Sequence, residues 1–190
     1  MLVRLVAVVA AVLLLGTAGA PAITALADVE QAKTMGGIVA LYPSDADAQA
    51  LAVPGGAPAA ELHITLVDYG PDVRGRPDAE LRHQIGDLTA RRRGPVAAQA
   101  FGHAVFNPHD PHRTPSTVYL IGDSPELVSV RQQLLSISQN LDQSIVVREP
   151  WIPHVTAVYG TLEKDLTFTG GVHFDRIGLS WAGTTTFWPL

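Results

Sequence analysis

There is no cysteine anywhere in the 190 residues. A disulfide framework and a thiolate zinc site are therefore excluded, although the absence fits an exported chain without disulfides as well as an intracellular one. Positive charge is also in short supply: 13 Lys and Arg stand against 18 Asp and Glu, a formal net charge of −5. Tight, sequence-independent binding of long nucleic acid needs many cationic contacts, so that class of partner is excluded. Low-complexity tracts and long linkers are missing too, and nothing divides the bulk of the chain into separate modules.

Charge is absent altogether from Leu5 to Ala27. Arg4 precedes an unbroken apolar run, Leu5 to Leu15, and Ala25-Leu26-Ala27 has the small-x-small form of a signal-peptidase site before Asp28. These are the parts of a secretory signal in their proper order. A retained membrane anchor is the alternative, which Gly16, Gly19 and Pro21 make a poor spanning helix. The expected organisation is thus a signal peptide or anchor over 1–27 and one domain over 28–190. The product is exported, whether secreted or periplasmic, or else membrane-anchored; a cytoplasmic location is the other reading. Removing 27 residues leaves 163, enough for one good core or two small lobes.

The most informative residues form two short segments, Leu62-His63-Ile64-Thr65-Leu66 and Pro153-His154-Val155-Thr156-Ala157. Each is a His-x-Thr triplet among apolar residues, which reads as a strand. Alternate side chains of a strand share a face, so His63 stands beside Thr65 and His154 beside Thr156, while Ile64, Leu66, Val155 and Ala157 point into a core. Taken singly, each histidine is equally an ordinary polar position on a half-buried strand. A third triplet, His112-Arg113-Thr114, lies between Pro111 and Pro115, where no strand continues, and reads as a chance match in a loop.

The surroundings of the two strand triplets repeat. Before His63 come an apolar strand (Ile38 to Leu41) and a short helix capped by Ser44, broken at Pro54-Gly55-Gly56. Before His154 come Thr117 to Ile121 and a helix opened by Ser124-Pro125-Glu126, with Leu127, Val130, Leu134, Ile137 and Leu141 at helical spacing. Pro77 to Arg91 predicts a further helix with Leu81, Ile85 and Leu88 on one face. Val96 to Phe106 predicts a strand bent at Gly102, and Val172 to Trp181 another strand. Helices and strands mix without regular alternation, so the class is α+β with mainly antiparallel sheets.

With these residues in view, the chain resembles the 2H phosphoesterase superfamily, which includes 2′-5′ RNA ligase-like proteins and cyclic phosphodiesterases. The resemblance runs from about Met35 to the C-terminus. Gly36 to Leu41, Glu61 to Leu66, Val105-Phe106-Asn107-Pro108 and Pro150 to Thr156 resemble bacterial and phage-encoded members in particular. It implies two pseudo-symmetric lobes whose sheets flank a central cleft, His63 and His154 as the catalytic pair, and Thr65 and Thr156 as phosphate ligands. It implies no metal and no cofactor. The substrate it implies is a small nucleotide or RNA end carrying a 2′,3′-cyclic phosphate or related phosphodiester, handled by a monomer. Alternatives are 2′-5′ RNA ligase activity and a non-catalytic phosphate- or nucleotide-binding module.

The chemistry suits these residue types. Opening such a phosphodiester needs one proton removed from the attacking oxygen and one given to the leaving oxygen, and imidazole exists in both forms near neutrality. Threonine hydroxyls can donate to the non-bridging oxygens where charge builds. The remaining candidates have plainer readings. His103, His109 and His112, with Asp110, match no common zinc spacing. His83 and His173 are expected in solvent. Arg91-Arg92-Arg93 is expected to complement a helix C-terminus, with a phosphate-attracting patch as the alternative. Tyr69, Phe106 and Trp151 are expected in the core, with stacking on a base as the alternative.

Overall fold

The computed structural model describes residues 34–110, 113–159 and 166–190. The segment 1–27, with its expected cleavage site, and His112 lie outside them. Seven strands form the frame: β1 (Gly37–Pro43), β2 (Ile64–Gly70), β3 (Val96–Phe106), β4 (Ser116–Gly122), β5 (His154–Tyr159), β6 (Gly170–Trp181) and β7 (Thr184–Pro189). Three helices accompany them: α1 (Asp45–Leu51), α2 (Ala79–Ala90) and α3 (Pro125–Asn140). This is the α+β, antiparallel class expected from the sequence.

The strand order is β2-β1-β6-β3-β4-β5, every pair antiparallel, with β7 added to β6. Exchanging β2 with β5, β1 with β4 and β6 with β3 returns the same order. The two lobes are therefore joined through one hydrogen-bonded path. Strand β6 makes the joint: its residues 170–174 pair with β3, and 174–181 pair with β1. The β-bulge between Ala100 and Gly102 realises the bend expected at Gly102.

Each element follows from local chemistry. In β1 the run Ile-Val-Ala-Leu-Tyr sits between two strands, and Val39, Ala40 and Leu41 are completely buried. Ser44 caps α1 by accepting from the Asp47 amide, and Ser124 caps α3 by accepting from the Leu127 amide at 3.1 Å, with Pro125 in the first turn. The apolar stripe of α3 buries Leu127, Val130 and Leu134 against a core that includes Val155, Phe174 and Ile177. Burying each such side chain is worth about 1.5–3 kcal/mol. The same face of α3 carries Ser138, fully buried, whose hydroxyl donates to the Leu134 carbonyl and bonds the Tyr69 phenol at 2.7 Å.

Two local readings need correction. Helix α2 ends at Ala90, so Arg91 is its cap and Arg92 and Arg93 lie beyond it instead of in its last turn. Arg92 pairs with Glu126 of α3 and so links the two helices. Strand β7 was not expected. It returns from β6 through Ala182-Gly183, both with positive φ (46° and 84°), the backbone of a two-residue hairpin loop that matches strand twist.

Candidate active site

The triplet strands stand at the two ends of the strand path, and those ends meet. Strands β2 and β5 are in contact, and the Trp151 indole N–H donates to the Thr65 carbonyl at 3.4 Å. The segment leading to β5 lies along the outer edge of β2: the Val146 amide donates to the Asp68 carbonyl at 2.7 Å, and Arg148 faces the Asp68 carboxylate at 3.6 Å. Further along, the Arg76 guanidinium donates to the Tyr69 and Ser144 carbonyls and to the Gln143 side chain. An edge that would otherwise present unpaired backbone is thereby occupied.

Between the lobes lies a cleft of about 1000 Å³, lined by His63, Thr65, His154 and Thr156 together. Period-two alternation accounts for this. Ile64 and Leu66, and Val155 and Ala157, are buried on the far side of their strands. His63 itself lies one residue ahead of β2, between a 3-10 turn (Ala59–Glu61) and the strand, whereas His154 opens β5.

The two imidazoles are held in the same way. His63 Nδ1 lies 2.6 Å from the Glu61 carbonyl oxygen, and His154 Nδ1 lies 2.7 Å from that of Ile152. A carbonyl oxygen only accepts, so Nδ1 carries the proton in each neutral ring. With Nδ1 committed to the backbone two residues back, Nε2 is the nitrogen that takes up or gives up a proton. Each ring also meets an aromatic: Tyr42 at 5.4 Å from His63, and Phe106 at 4.7 Å and edge-on to His154. Burial holds the His154 pKa below the ordinary histidine value, against the opposing pull of its bond to Ile152. Burial thus favours the neutral form of His154. Tyr42, buried and bonded to Ser180, has its phenol pushed up by desolvation and stays protonated.

The cleft gathers residues that carried only weak signals in the sequence. Arg148 and Arg113 bring two guanidiniums to its walls, each with its carboxylate partner beyond 3.5 Å. Ser180, Thr185 and Phe187 come from the β6–β7 hairpin, and Thr114 and Ser116 from the approach to β4. The third triplet thus contributes Arg113 and Thr114 to the lining, though as loop residues. Arg148 could have been suspected from its place just ahead of Pro150-Trp151. Tyr42 had no signal apart from ending an apolar strand.

The other candidates separate cleanly. Phe106 and Trp151 line the cleft, whereas Tyr69 is 3 % exposed and packs on Trp181. Burial raises the Tyr69 pKa to about 12. His83 and His173 are exposed beside Asp87 and Asp47 respectively. Arg91, Arg92 and Arg93 do not line the cleft. Among the described residues no three His, Asp or Glu side chains cluster as metal ligands.

No family model and no curated protein matches this sequence significantly. Solved structures do match. TT0787 of Thermus thermophilus superposes with a TM-score of 0.58 at 17 % identity, covering 82 % of this chain and 95 % of that one. E. coli LigT complexed with NADP+ gives 0.52 at 17 % identity, again covering 82 % and 95 %. The chain therefore shares the fold of these two structures, the α+β, mainly antiparallel fold expected from the sequence.

Proposed function

We propose that this chain is a phosphodiesterase that opens a 2′,3′-cyclic phosphate, or a related nucleotide or RNA-end phosphodiester, by two-histidine acid–base catalysis. The observation that carries the reading is the matched pair of Nδ1-to-carbonyl bonds at His63 and His154, at the heads of two strands that line one cleft. Identical tethering of two imidazoles in one cleft suits a reaction that needs one proton acceptor and one donor.

A phosphate between the triplets accepts from Thr65 and Thr156 through its non-bridging oxygens. One Nε2 takes the proton of an incoming water, whose oxygen forms the new bond to phosphorus. The bond to one ribose oxygen breaks, and the other imidazole returns a proton to it. A phosphomonoester and a free hydroxyl result, and the two rings have exchanged protonation states. Arg113 and Arg148 supply positive potential for an anionic substrate in a chain of net negative charge. LigT, which has this fold, is known as a complex with NADP+, and a nucleotide-sized ligand suits a cleft of this volume.

The test is a panel of 2′,3′-cyclic nucleotides and cyclic-phosphate-ended oligonucleotides incubated with the purified protein and followed by ³¹P NMR. Ring opening to a monoester is expected, unaffected by chelator. Saturable binding of these compounds without turnover would sink the enzyme reading and leave a nucleotide-binding module. Formation of a 2′-5′ linkage from two ends would mark ligation as the favoured direction.

A further inference from the structure

Arg131 lies in the middle of α3, does not line the cleft, and is held in an unusual setting. Its side chain is 14 % exposed, and its Nε is buried without a hydrogen-bond partner. The nearest carboxylate, Glu149, stands at 3.9 Å and is itself largely in solvent. What the guanidinium does contact closely is the Trp151 ring, with its central carbon 4.5 Å from the ring centroid. Burying a guanidinium with an unsatisfied N–H is unfavourable. A desolvated cation over an indole face offsets part of that cost, and it fixes the plane of that ring.

The ring so fixed reaches across the lobes. Trp151 precedes His154 by three positions, and its indole N–H donates to the carbonyl of Thr65. The contact runs from α3 through one aromatic to the backbone of the opposite triplet. We propose that Arg131 is a positioning residue: by locking Trp151 it sets the height of the His63–Thr65 strand against the His154–Thr156 strand. This rests on the two-histidine reading for its catalytic consequence, though not for its structural one.

The experiment compares wild type with R131M, R131K and W151F by two independent readouts. The first is kcat and KM on a 2′,3′-cyclic nucleotide. Misplacement of reacting groups by ~1 Å can cost roughly a hundredfold, so R131M and W151F are expected to lose about tenfold to a hundredfold in kcat, with KM changed little. R131K, which keeps the cation but not the flat stack, should recover part of the loss. The double variant should lose no more than the worse single one, since both act on one contact. The second readout is the His63 imidazole NMR resonances and their titration in folded protein. Arg131 meets Trp151 and Glu149, so a local packing role would leave the His63 signals alone. Positioning predicts that they move in both R131M and W151F. Unmoved His63 resonances, or additive losses in the double variant, would overturn the proposal. If wild type turns over none of the nucleotides, the two-histidine reading fails, and the NMR arm still decides the positioning claim.

Discussion

The two imidazoles carry the sharpest predictions at the scale of single residues. His63→Ala and His154→Ala should each lower kcat/KM by about 10²–10⁴-fold, and the double variant should fall little further, because paired acid and base act as a unit. Steady-state kinetics on the cyclic nucleotide checks both. Thr65→Ala and Thr156→Ala remove one donor each and leave proton transfer in place, so their losses should be smaller. The depressed pKa of His154 has a separate, thermodynamic signature. The unfolded chain binds a proton near the ordinary value of ~6.5, whereas folded His154 resists it. Between that value and the lower folded one, the unfolded state holds more protons, so stability falls as pH falls. Thermal unfolding of wild type and His154→Gln from neutral to mildly acidic pH should show wild type losing more. Parallel curves would mean that burial does not hold the ring neutral.

Elements are where the sequence was most and least legible. Helix α3 was readable because its signals are local: the Ser124-Pro125-Glu126 start and the stripe of Leu127, Val130 and Leu134 all appear within about four turns. Two changes weigh those signals. Ser124→Ala leaves the Leu127 amide without its cap and should cost about 1 kcal/mol in urea unfolding. Leu134→Ala empties a fully buried site and should cost about 2–5 kcal/mol. Equal costs would show that α3 is held no more by its buried face than by its first turn. Strand β7 escaped because a run of three threonines before Phe187 has no strict alternation of apolar and polar, and its pairing with β6 rests on the positive-φ turn at Ala182-Gly183. The segment before β5 escaped for a different reason. Its role along the β2 edge depends on Asp68 and Thr65, some eighty positions earlier, and no local pattern reports such a partner. For the same reason Arg148 and Tyr42 joined the cleft only once topology brought their strands and loops together. The triplets themselves were readable because strand alternation is local, and the cleft needs nothing more from them than a shared face.

Across the whole molecule, strand β6 has a consequence for the order in which the chain acquires its structure. It borders β1 on one stretch and β3 on another, yet it begins only at Gly170. While the chain emerges from the ribosome, β1–β2 and β3–β4–β5 are made first, as two fragments each with an open inner edge. Neither edge is paired until Gly170 to Trp181 have left the exit tunnel. Nascent chains stalled before residue 170 should therefore remain sensitive to pulse proteolysis, and chains stalled well beyond 190 by an appended tether should be resistant. Contacts of such high sequence separation also make for slow closure. The interval before β6 docks is thus the window in which chaperones and proteases would meet this protein, and a destabilised variant would be removed there first.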